Sequence, residues 1–341
     1  MLARNRTLPV ALLLTGLLLT ACGPEDPGTA PETDDPVEDV DPDAAPDPDV
    51  VPDEDPDAGL DAAPDADFPA TVVDGRGIEV TIDARPQRIV SLSTTHTEIL
   101  FALDAGDQVV AVDEQSDFPP EAPTTDLSGF EPNVEAIAEQ QPDLVIIAFD
   151  PGGLAQALEQ LEIDVLLFPA AVSVDDAYAQ WEMVGTATGR VAQADRMVEV
   201  VDDRLQALAD EVADDLAHLD EPLTYFHELD ENLYTATSAT FVGDIYGRFP
   251  LDNIADPADD GSGFPQLSEE FVVEADPDLV FLADSVYGQT PEVVADRPGW
   301  ETMTAVQEGH LVEVDPDLSS RWGPRLVVFA ELVADAVRDA A

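Results

Sequence analysis

The chain has 341 residues, of which 45% are hydrophobic and 26% are charged, so it can bury the core of one large domain or two ordinary ones. Its 74 acidic and 13 basic residues give a formal net charge of −61. Because a phosphate backbone requires clustered positive charge, this acidic composition argues against nucleic acid as a partner.

The N-terminus has the pattern of an export signal. Arginines precede an apolar stretch from Leu8 to Leu19 that is short for a transmembrane helix, and the stretch ends in LTAC. LTAC resembles the lipobox of bacterial lipoproteins, which implies that Cys22 is lipidated and becomes the new N-terminus. Cys22 is the only cysteine, so no intramolecular disulfide can form. Residues 1–22 are thus predicted to be a lipoprotein signal peptide, and the protein to be exported and lipid-anchored to the outer face of the cytoplasmic membrane.

Residues 23–67 consist largely of Asp, Glu, Pro and Ala. Like charges and proline keep such a segment extended, and it has too few large apolar side chains to bury a core. We therefore predict a disordered acidic tether between the lipid anchor and the folded part.

Strand and helix patterns alternate from residue 71 onward. Strands that are apolar along their length and separated by single helices indicate a parallel sheet covered on both faces. The strands predicted in the first segment are RIVSLS (88–93), VVAVD (109–113), DLVII (143–147) and DVLLF (164–168). Residues 68–172 are predicted to form an N-terminal α/β lobe.

No strand pattern occurs between about Val174 and Leu219. Apolar residues at helical spacing after Gly189 predict one long helix with a lead-in turn near that glycine, and the run is too short for a coiled coil of several heptads. Alternation of strands and helices then resumes. The predicted organisation is therefore a connecting helix at 173–220 and a C-terminal α/β lobe at 221–341.

One short motif occurs in both lobes. QPDLVII in the first lobe and DPDLVFL in the second each follow a helical pattern and enter an apolar strand. When Pro142 is aligned with Pro277, the preceding helices also align, and Glu135 falls on Glu270. This match predicts two equivalent lobes.

The run RIVSLSTTHTEILFALDAGDQVVAVDEQSDFPPEA, followed by NVEAIAEQQPDLVII and the long helix, resembles the cobalamin and ferric-siderophore substrate-binding proteins of ABC importers. The resemblance covers residues 71–341. It implies an α/β fold of two Rossmann-like lobes joined by a single long backbone helix, with a ligand cleft between the lobes. It also implies a monomer without enzymatic activity that delivers its ligand to an ABC transporter permease dimer. By position in the repeat, Glu135 and Glu270 are the residues expected to dock on that permease.

Loops at the carboxyl ends of the strands are expected to form the cleft. The predicted ligand-binding residues are Thr95, His96, Asp117, Phe118, Phe130 and Phe149 in the first lobe, and Phe226, His227, Tyr234, Phe264, Tyr287, Arg321 and Trp322 in the second. Within the resemblance, Phe118, Phe149 and Phe264 match positions that carry aromatic rings in vitamin B12 binding proteins. Aromatic rings on loops offer flat apolar area to a large ring-shaped ligand.

The ligand is predicted from charge. A tri-anionic ferric catecholate or citrate complex would need several cationic side chains, and only Arg321, Arg325 and Arg248 are available at the predicted cleft. A nearly neutral corrinoid meets less repulsion, so cobalamin is preferred over a ferric siderophore. A neutral or cationic hydroxamate siderophore remains open.

His96 and His227 each follow the first strand of a lobe, so they could face each other across the cleft. Two imidazoles with Glu228 or Asp284 would suit Zn²⁺ or Mn²⁺, and a single histidine could ligate haem iron. A metal- or haem-binding lipoprotein and a metal-dependent hydrolase are therefore the alternatives, although hydrogen-bonding histidines are the preferred interpretation and no resident cofactor is predicted. Nucleotide-binding, P-loop and nucleophile-elbow motifs are absent from the sequence, which argues against an enzyme.

Overall fold

The structure is a computed structural model that describes residues 67–219 and 221–341. The predicted signal peptide, its predicted lipidation site Cys22 and residues 23–66 of the predicted tether lie outside the described residues. In the described part of the chain, no helix combines the length and apolar composition needed to cross a bilayer.

The first lobe contains a small antiparallel sheet and a four-stranded parallel sheet. The antiparallel pair is β1 (Ala70–Val73) and β2 (Glu79–Ile82). The parallel strands are β3 (Ile89–Leu92), β4 (Val109–Val112), β5 (Leu144–Ile147) and β6 (Asp164–Leu167), and the helices are α1 (Thr94–Ala102), α2 (Val134–Glu139) and α3 (Leu154–Glu159). The sheet order is β4-β3-β5-β6, and the two central strands are buried along their whole length, as an apolar run predicts for a covered sheet.

The second lobe repeats this arrangement. Its parallel strands are β7 (Leu223–Glu228), β8 (Leu251–Asn253), β9 (Leu279–Leu282) and β10 (Leu311–Glu313). Their order, β8-β7-β9-β10, matches that of the first sheet strand for strand, and the QPDLVII and DPDLVFL motifs enter the equivalent strands β5 and β9. The predicted two-lobed α/β fold is confirmed.

The segment between the lobes forms two helices, α4 (Val174–Thr188) and α5 (Val191–Asp215), where the sequence predicted one. The break falls at Gly189, whose φ of 74° is left-handed and ends α4 at little steric cost. Gly185 allows the two helices to approach closely, because a Cβ there would lie 2.6 Å from the Cβ of Ala194. The chain therefore folds back on itself at the glycines that had suggested only a turn.

The remaining helices belong to the second lobe. They are α6 (Phe241–Tyr246), α7 (Glu269–Ala275), α8 (Pro291–Ala295), α9 (Thr304–Glu308), α10 (Pro316–Ser320) and α11 (Leu326–Asp339). The last of these packs against α5, which also packs against α4.

One hydrophobic core runs through both lobes. It includes Ile99 of α1, Trp181 of α4, Leu205 of α5, Tyr246 of α6 and Phe329 of α11, each less than 2% exposed. Full burial of one such side chain stabilises the fold by roughly 1.5–3 kcal/mol. Separating the lobes would expose this shared core, so the spacing between the two sheets is fixed by packing.

A buried hydrogen-bond network connects the same elements. The side-chain oxygen of Gln180 on α4 accepts from His96 Nε2 at 3.1 Å and from Trp322 Nε1 at 2.7 Å, and its amide nitrogen donates to the carbonyl of Pro169 at 2.8 Å. Since that oxygen only accepts, His96 carries its proton on Nε2, and Nδ1 accepts from the hydroxyl of Ser93. Burial lowers the pKa of His96 to about 4, so the imidazole is neutral at pH 7.

We expect Gln180→Ala to destabilise the protein by about 2–4 kcal/mol, because it leaves the N–H groups of His96 and Trp322 and the carbonyl of Pro169 without a partner inside the fold. Urea unfolding followed by circular dichroism measures the change. The matched control is Gln206→Ala on the exposed face of α5, which should change the free energy of unfolding by less than about 0.5 kcal/mol. Equal effects of the two substitutions would contradict a structural role for the network.

Candidate ligand pocket

A cavity of about 270 Å³ lies between the lobes, at the carboxyl ends of the first-lobe strands. Leu92 ends β3, Asp113 follows β4, and Ala148 and Phe149 follow β5. The loops after three parallel strands therefore meet at one edge of the sheet, which is where α/β proteins usually bind ligands. The second lobe closes the other side. Its contribution consists of Asp317, Ser320, Arg321 and Trp322, which lie in or directly after α10.

An aromatic pair forms one wall of the cavity. The rings of Phe130 and Phe149 lie 5.2 Å apart between centroids at an angle of 40°. Phe130 is 67% exposed and Phe149 is 40% exposed, which is unusual for large apolar side chains in contact with each other. The structure thus brings together two of the aromatic residues predicted to contact ligand, together with Thr95, Arg321 and Trp322.

Phe118 and Asp117 lie beside the cavity and bind the second lobe. The guanidinium of Arg325 stacks 4.2 Å from the centroid of the Phe118 ring. Asp117 accepts a hydrogen bond of 3.3 Å from Arg321, and its own side chain remains 72% exposed. These two predicted ligand contacts therefore connect the lobes across the mouth of the cavity.

The predicted placement of His96, Phe226 and His227 in the cleft is wrong, because all three are fully buried. His96 lies in the first turn of α1 and stacks on Phe168 at 5.1 Å. Strand β7 continues through Glu228, so Phe226 and His227 belong to a buried strand and not to a loop. His227 Nδ1 forms a 2.9 Å hydrogen bond with the hydroxyl of Tyr246.

This burial removes the basis for a metal site shared by the two histidines. Burial lowers the pKa of His227, as that of His96, to about 4, and the two rings have different neighbours. Among residues 67–219 and 221–341, no group of three or more His, Cys, Asp or Glu side chains is arranged to hold a metal ion. The hydrolase alternative required these two histidines to meet in the cleft, so their burial removes the support for it.

Three predicted aromatic residues of the second lobe are exposed but lie outside the cavity lining. Tyr234 is 42% exposed, Phe264 is 49% exposed and Tyr287 is 79% exposed. Tyr234 pairs in an isolated bridge with Gln266, two residues from Phe264. Their contact with ligand stays a prediction.

The family model for periplasmic binding proteins matches residues 89–318 of this chain, well over half of its length. This chain belongs to the periplasmic binding protein family. It is 32% identical over 277 residues to the ABC transporter substrate-binding lipoprotein YvrC of Bacillus subtilis, covering 79% of this chain and 86% of that protein. It is also 32% identical over 278 residues to a cobalamin-binding protein of Halobacterium salinarum, covering 79% and 74%.

A solved structure agrees with the fold of this periplasmic binding protein. The heme-binding protein RhuT from Roseiflexus sp. RS-1, in apo form, has a TM-score of 0.63, with 25% sequence identity, and the match covers 75% of this chain and 99% of that one. The resemblance deduced from the sequence is confirmed at the level of the family.

Several residues that line the pocket of this periplasmic binding protein were not predicted from the sequence, among them Asp113 and Asp317. Asp113 is 4% exposed, and burial raises the pKa of its carboxyl group. Its position directly after β4 was the available signal, because the other predicted cavity residues of this lobe also follow strands. Asp317 lies one helical turn before Arg321 and forms an ion pair with it at 2.7 Å.

The two glutamates of the repeat occupy equivalent positions. Glu135 is the second residue of α2, behind the capping residue Asn133, and Glu270 is the second residue of α7, behind the capping residue Ser268. Both side chains are exposed. An acidic residue in the first turn also interacts favourably with the helix dipole, so local helix stability explains part of the match between Glu135 and Glu270.

A buried polar cluster lies at the carboxyl ends of β7 and β9 in the second lobe. Glu228 is fully buried and accepts two hydrogen bonds from Arg297, one of them 2.7 Å long. Asp284 is 3% exposed, and neither of its oxygens has a hydrogen-bond partner. Burial and the neighbouring charge of Glu228 raise the pKa of Asp284 to about 7, so Asp284 is mostly protonated below that pH.

We expect the stability of the protein to fall with rising pH because of Asp284. The pKa of Asp284 is about 7 in the folded state, against an ordinary value of 3.8. The contribution of protonated Asp284 to the free energy of unfolding is therefore fully present below about pH 3.8 and is lost as the pH rises through 7. Asp284→Asn cannot ionise and can donate an N–H to Glu228. It should melt at a higher temperature than the wild type at about pH 8.5 and lose that advantage at about pH 5.

Scanning calorimetry at the two pH values tests this expectation. Asp252→Asn, at an exposed position on β8, is the matched control and should shift the melting temperature by the same small amount at both. A pH-independent effect of Asp284→Asn would show that Asp284 is already ionised in the folded protein at low pH.

Proposed function

We propose that this protein is an extracytoplasmic, lipid-anchored substrate-binding protein that captures cobalamin or a related corrinoid and delivers it to an ABC importer. The observation that carries the proposal is the exposed aromatic pair Phe130 and Phe149 at a cavity between two fixed lobes. Exposed rings in a pre-formed cleft suit the flat, largely apolar face of a macrocycle. The Halobacterium salinarum relative is named a cobalamin-binding protein, which supports the same ligand.

The charges at the cavity favour a neutral or cationic ligand. Arg321 is the one arginine among the lining residues of the described chain, and the lining also includes Asp113 and Asp317. Arg321 is 7% exposed and engaged by carboxylates, so an anionic ligand would meet net negative charge. A tri-anionic ferric complex is disfavoured on this ground, whereas a corrinoid or a neutral hydroxamate complex is not.

A corrinoid is larger than the cavity, so part of it would extend across the open mouth. The exposed rings Tyr234, Phe264 and Tyr287 of the second lobe supply apolar surface for that part of the ligand. This arrangement requires little closure of the lobes, in keeping with the core that they share.

We expect the purified protein to bind cyanocobalamin with a Kd below about 1 μM, which corresponds to roughly −8 kcal/mol. Phe130→Ala and Phe149→Ala should each weaken binding by about 5- to 150-fold, since each removes a ring worth roughly 1–3 kcal/mol of contact. Val200→Ala on α5, a position that is 67% exposed, is the control and should leave affinity unchanged.

Isothermal titration calorimetry with cyanocobalamin, a ferric hydroxamate, haemin and Zn²⁺ measures these affinities on one scale. Tighter binding of haemin than of cyanocobalamin would favour the haem-binding alternative. The structural similarity to a heme-binding protein is the reason to include haemin. Binding of none of the four below the micromolar range would refute the proposed ligand.

We further propose that Glu135 and Glu270 dock the protein on the two permease subunits. Both are exposed at equivalent points of two equivalent lobes, where a two-fold partner can meet both at once. The double variant E135R/E270R should abolish uptake of the ligand by cells while leaving its affinity in solution unchanged.

The control for docking is E139R/E274R, which makes the same charge changes at exposed positions in the last turns of the same two helices. Uptake assays with radiolabelled cobalamin compare the two double variants. If both lose uptake equally, net charge and not a docking contact explains the effect, and a loss of affinity would place the glutamates in the ligand site.

A further inference from the structure

A buried carboxylate of the first lobe holds two arginines of the second. Glu98 on α1 is 2% exposed, and its Oε1 accepts from Arg321 Nη1 at 2.9 Å and from Arg325 Nη2 at 2.6 Å. Its Oε2 accepts from Arg325 Nε at 2.9 Å. Gly323 brings the backbone between the two arginines against this carboxylate, because a Cβ there would lie 3.3 Å from Glu98 Oε2.

Two further carboxylates complete the cluster on the cavity side. Arg321 pairs with Asp117 at 3.3 Å and with Asp317 at 2.7 Å. Three acidic groups thus surround two guanidinium groups. Burial lowers the pKa of Arg321, but the hydrogen bond to Glu98 and the nearby carboxylates outweigh it, so the guanidinium stays charged.

The packing of the lobes does not require this excess of acid. Glu98 is buried at the interface and accepts from both arginines, whereas the side chains of Asp117 and Asp317 are 72% and 41% exposed. Because both carboxylates remain in contact with water, solvent screens their pairs with Arg321 and limits what those pairs contribute to stability. Their location beside Arg321, which lines the cavity, points to an effect on what enters the cavity.

We propose that Glu98, Asp117 and Asp317 set the charge selectivity of the cavity, by neutralising Arg321 and Arg325 so that anionic ligands are rejected and neutral or cationic ones are accepted. This inference rests on the proposed ligand-capture function. It assigns that function a specificity device that is separate from the aromatic wall. Removal of the carboxylates converts the same cavity into one that tolerates anions.

The test uses ligands that differ in charge but hardly in shape. Cyanocobalamin is neutral, and its monocarboxylate derivatives carry one hydrolysed amide side chain. By titration calorimetry, the wild type should bind the monocarboxylates at least about tenfold more weakly than cyanocobalamin. The double variant D117N/D317N should reduce that ratio to about threefold or less, because the cluster of Arg321, Arg325 and Glu98 then has a net positive charge beside the cavity.

The double variant D203N/D214N, at exposed positions on α5, makes the same change in net charge and should keep the wild-type ratio. Glu98→Gln should shift the ratio in the same direction as D117N/D317N. Since Glu98 is buried, that variant can fail to fold. The result for D117N/D317N therefore decides the test. A ratio that D117N/D317N leaves unchanged, or a wild type that does not discriminate, overturns the inference.

A second measurement does not depend on the identity of the ligand. Sulfate stabilises proteins generally, so the thermal shift in sulfate relative to chloride at equal ionic strength is compared between variants. D117N/D317N should show a larger sulfate shift than both the wild type and D203N/D214N, and equal shifts overturn the inference. If the wild type binds no corrinoid, the proposed ligand fails, while the sulfate comparison still decides the charge selectivity.

Discussion

The packing of both lobes onto one hydrophobic core is the constraint on which the rest of this structure depends. Helices α4, α5 and α11 contribute to a single buried cluster with side chains of both sheets, so the lobes cannot move apart without exposing it. This packing fixes the width of the cleft between the two parallel sheets. The pocket is therefore pre-formed, and a ligand need not meet the cost of assembling it.

Buried polar groups then orient the second-lobe wall of the pocket. Gln180 fixes the indole of Trp322, and Glu98 fixes Arg321 through a bond across the lobes. Each of these contacts joins residues more than 100 positions apart in the chain. Because such contacts are desolvated, a missing partner would be costly, and the geometry at the cavity is correspondingly well defined.

The sequence predicted the repeat and part of the pocket lining, for physical reasons that can be traced. Apolar strands separated by helices specify covered parallel sheets, and the loops after such strands meet at one edge, where Thr95, Phe130 and Phe149 line the cavity. The same rule failed for Phe226 and His227, since β7 extends to Glu228 and the loop begins later. Strand ends are poorly defined by an apolar pattern when polar residues such as His and Glu are themselves buried.

By itself the sequence determined the two-lobed fold, the family and the equivalence of Glu135 with Glu270, because these depend on local periodicity and on motifs within short segments. Only the tertiary structure decided that the connecting segment folds back at Gly189, that His96 and His227 are buried, and that Arg321 is ion-paired with Glu98. Those outcomes depend on burial and on partners distant in sequence. The charge of a side chain can be read from its identity, but its availability to a ligand is decided by what the fold places next to it.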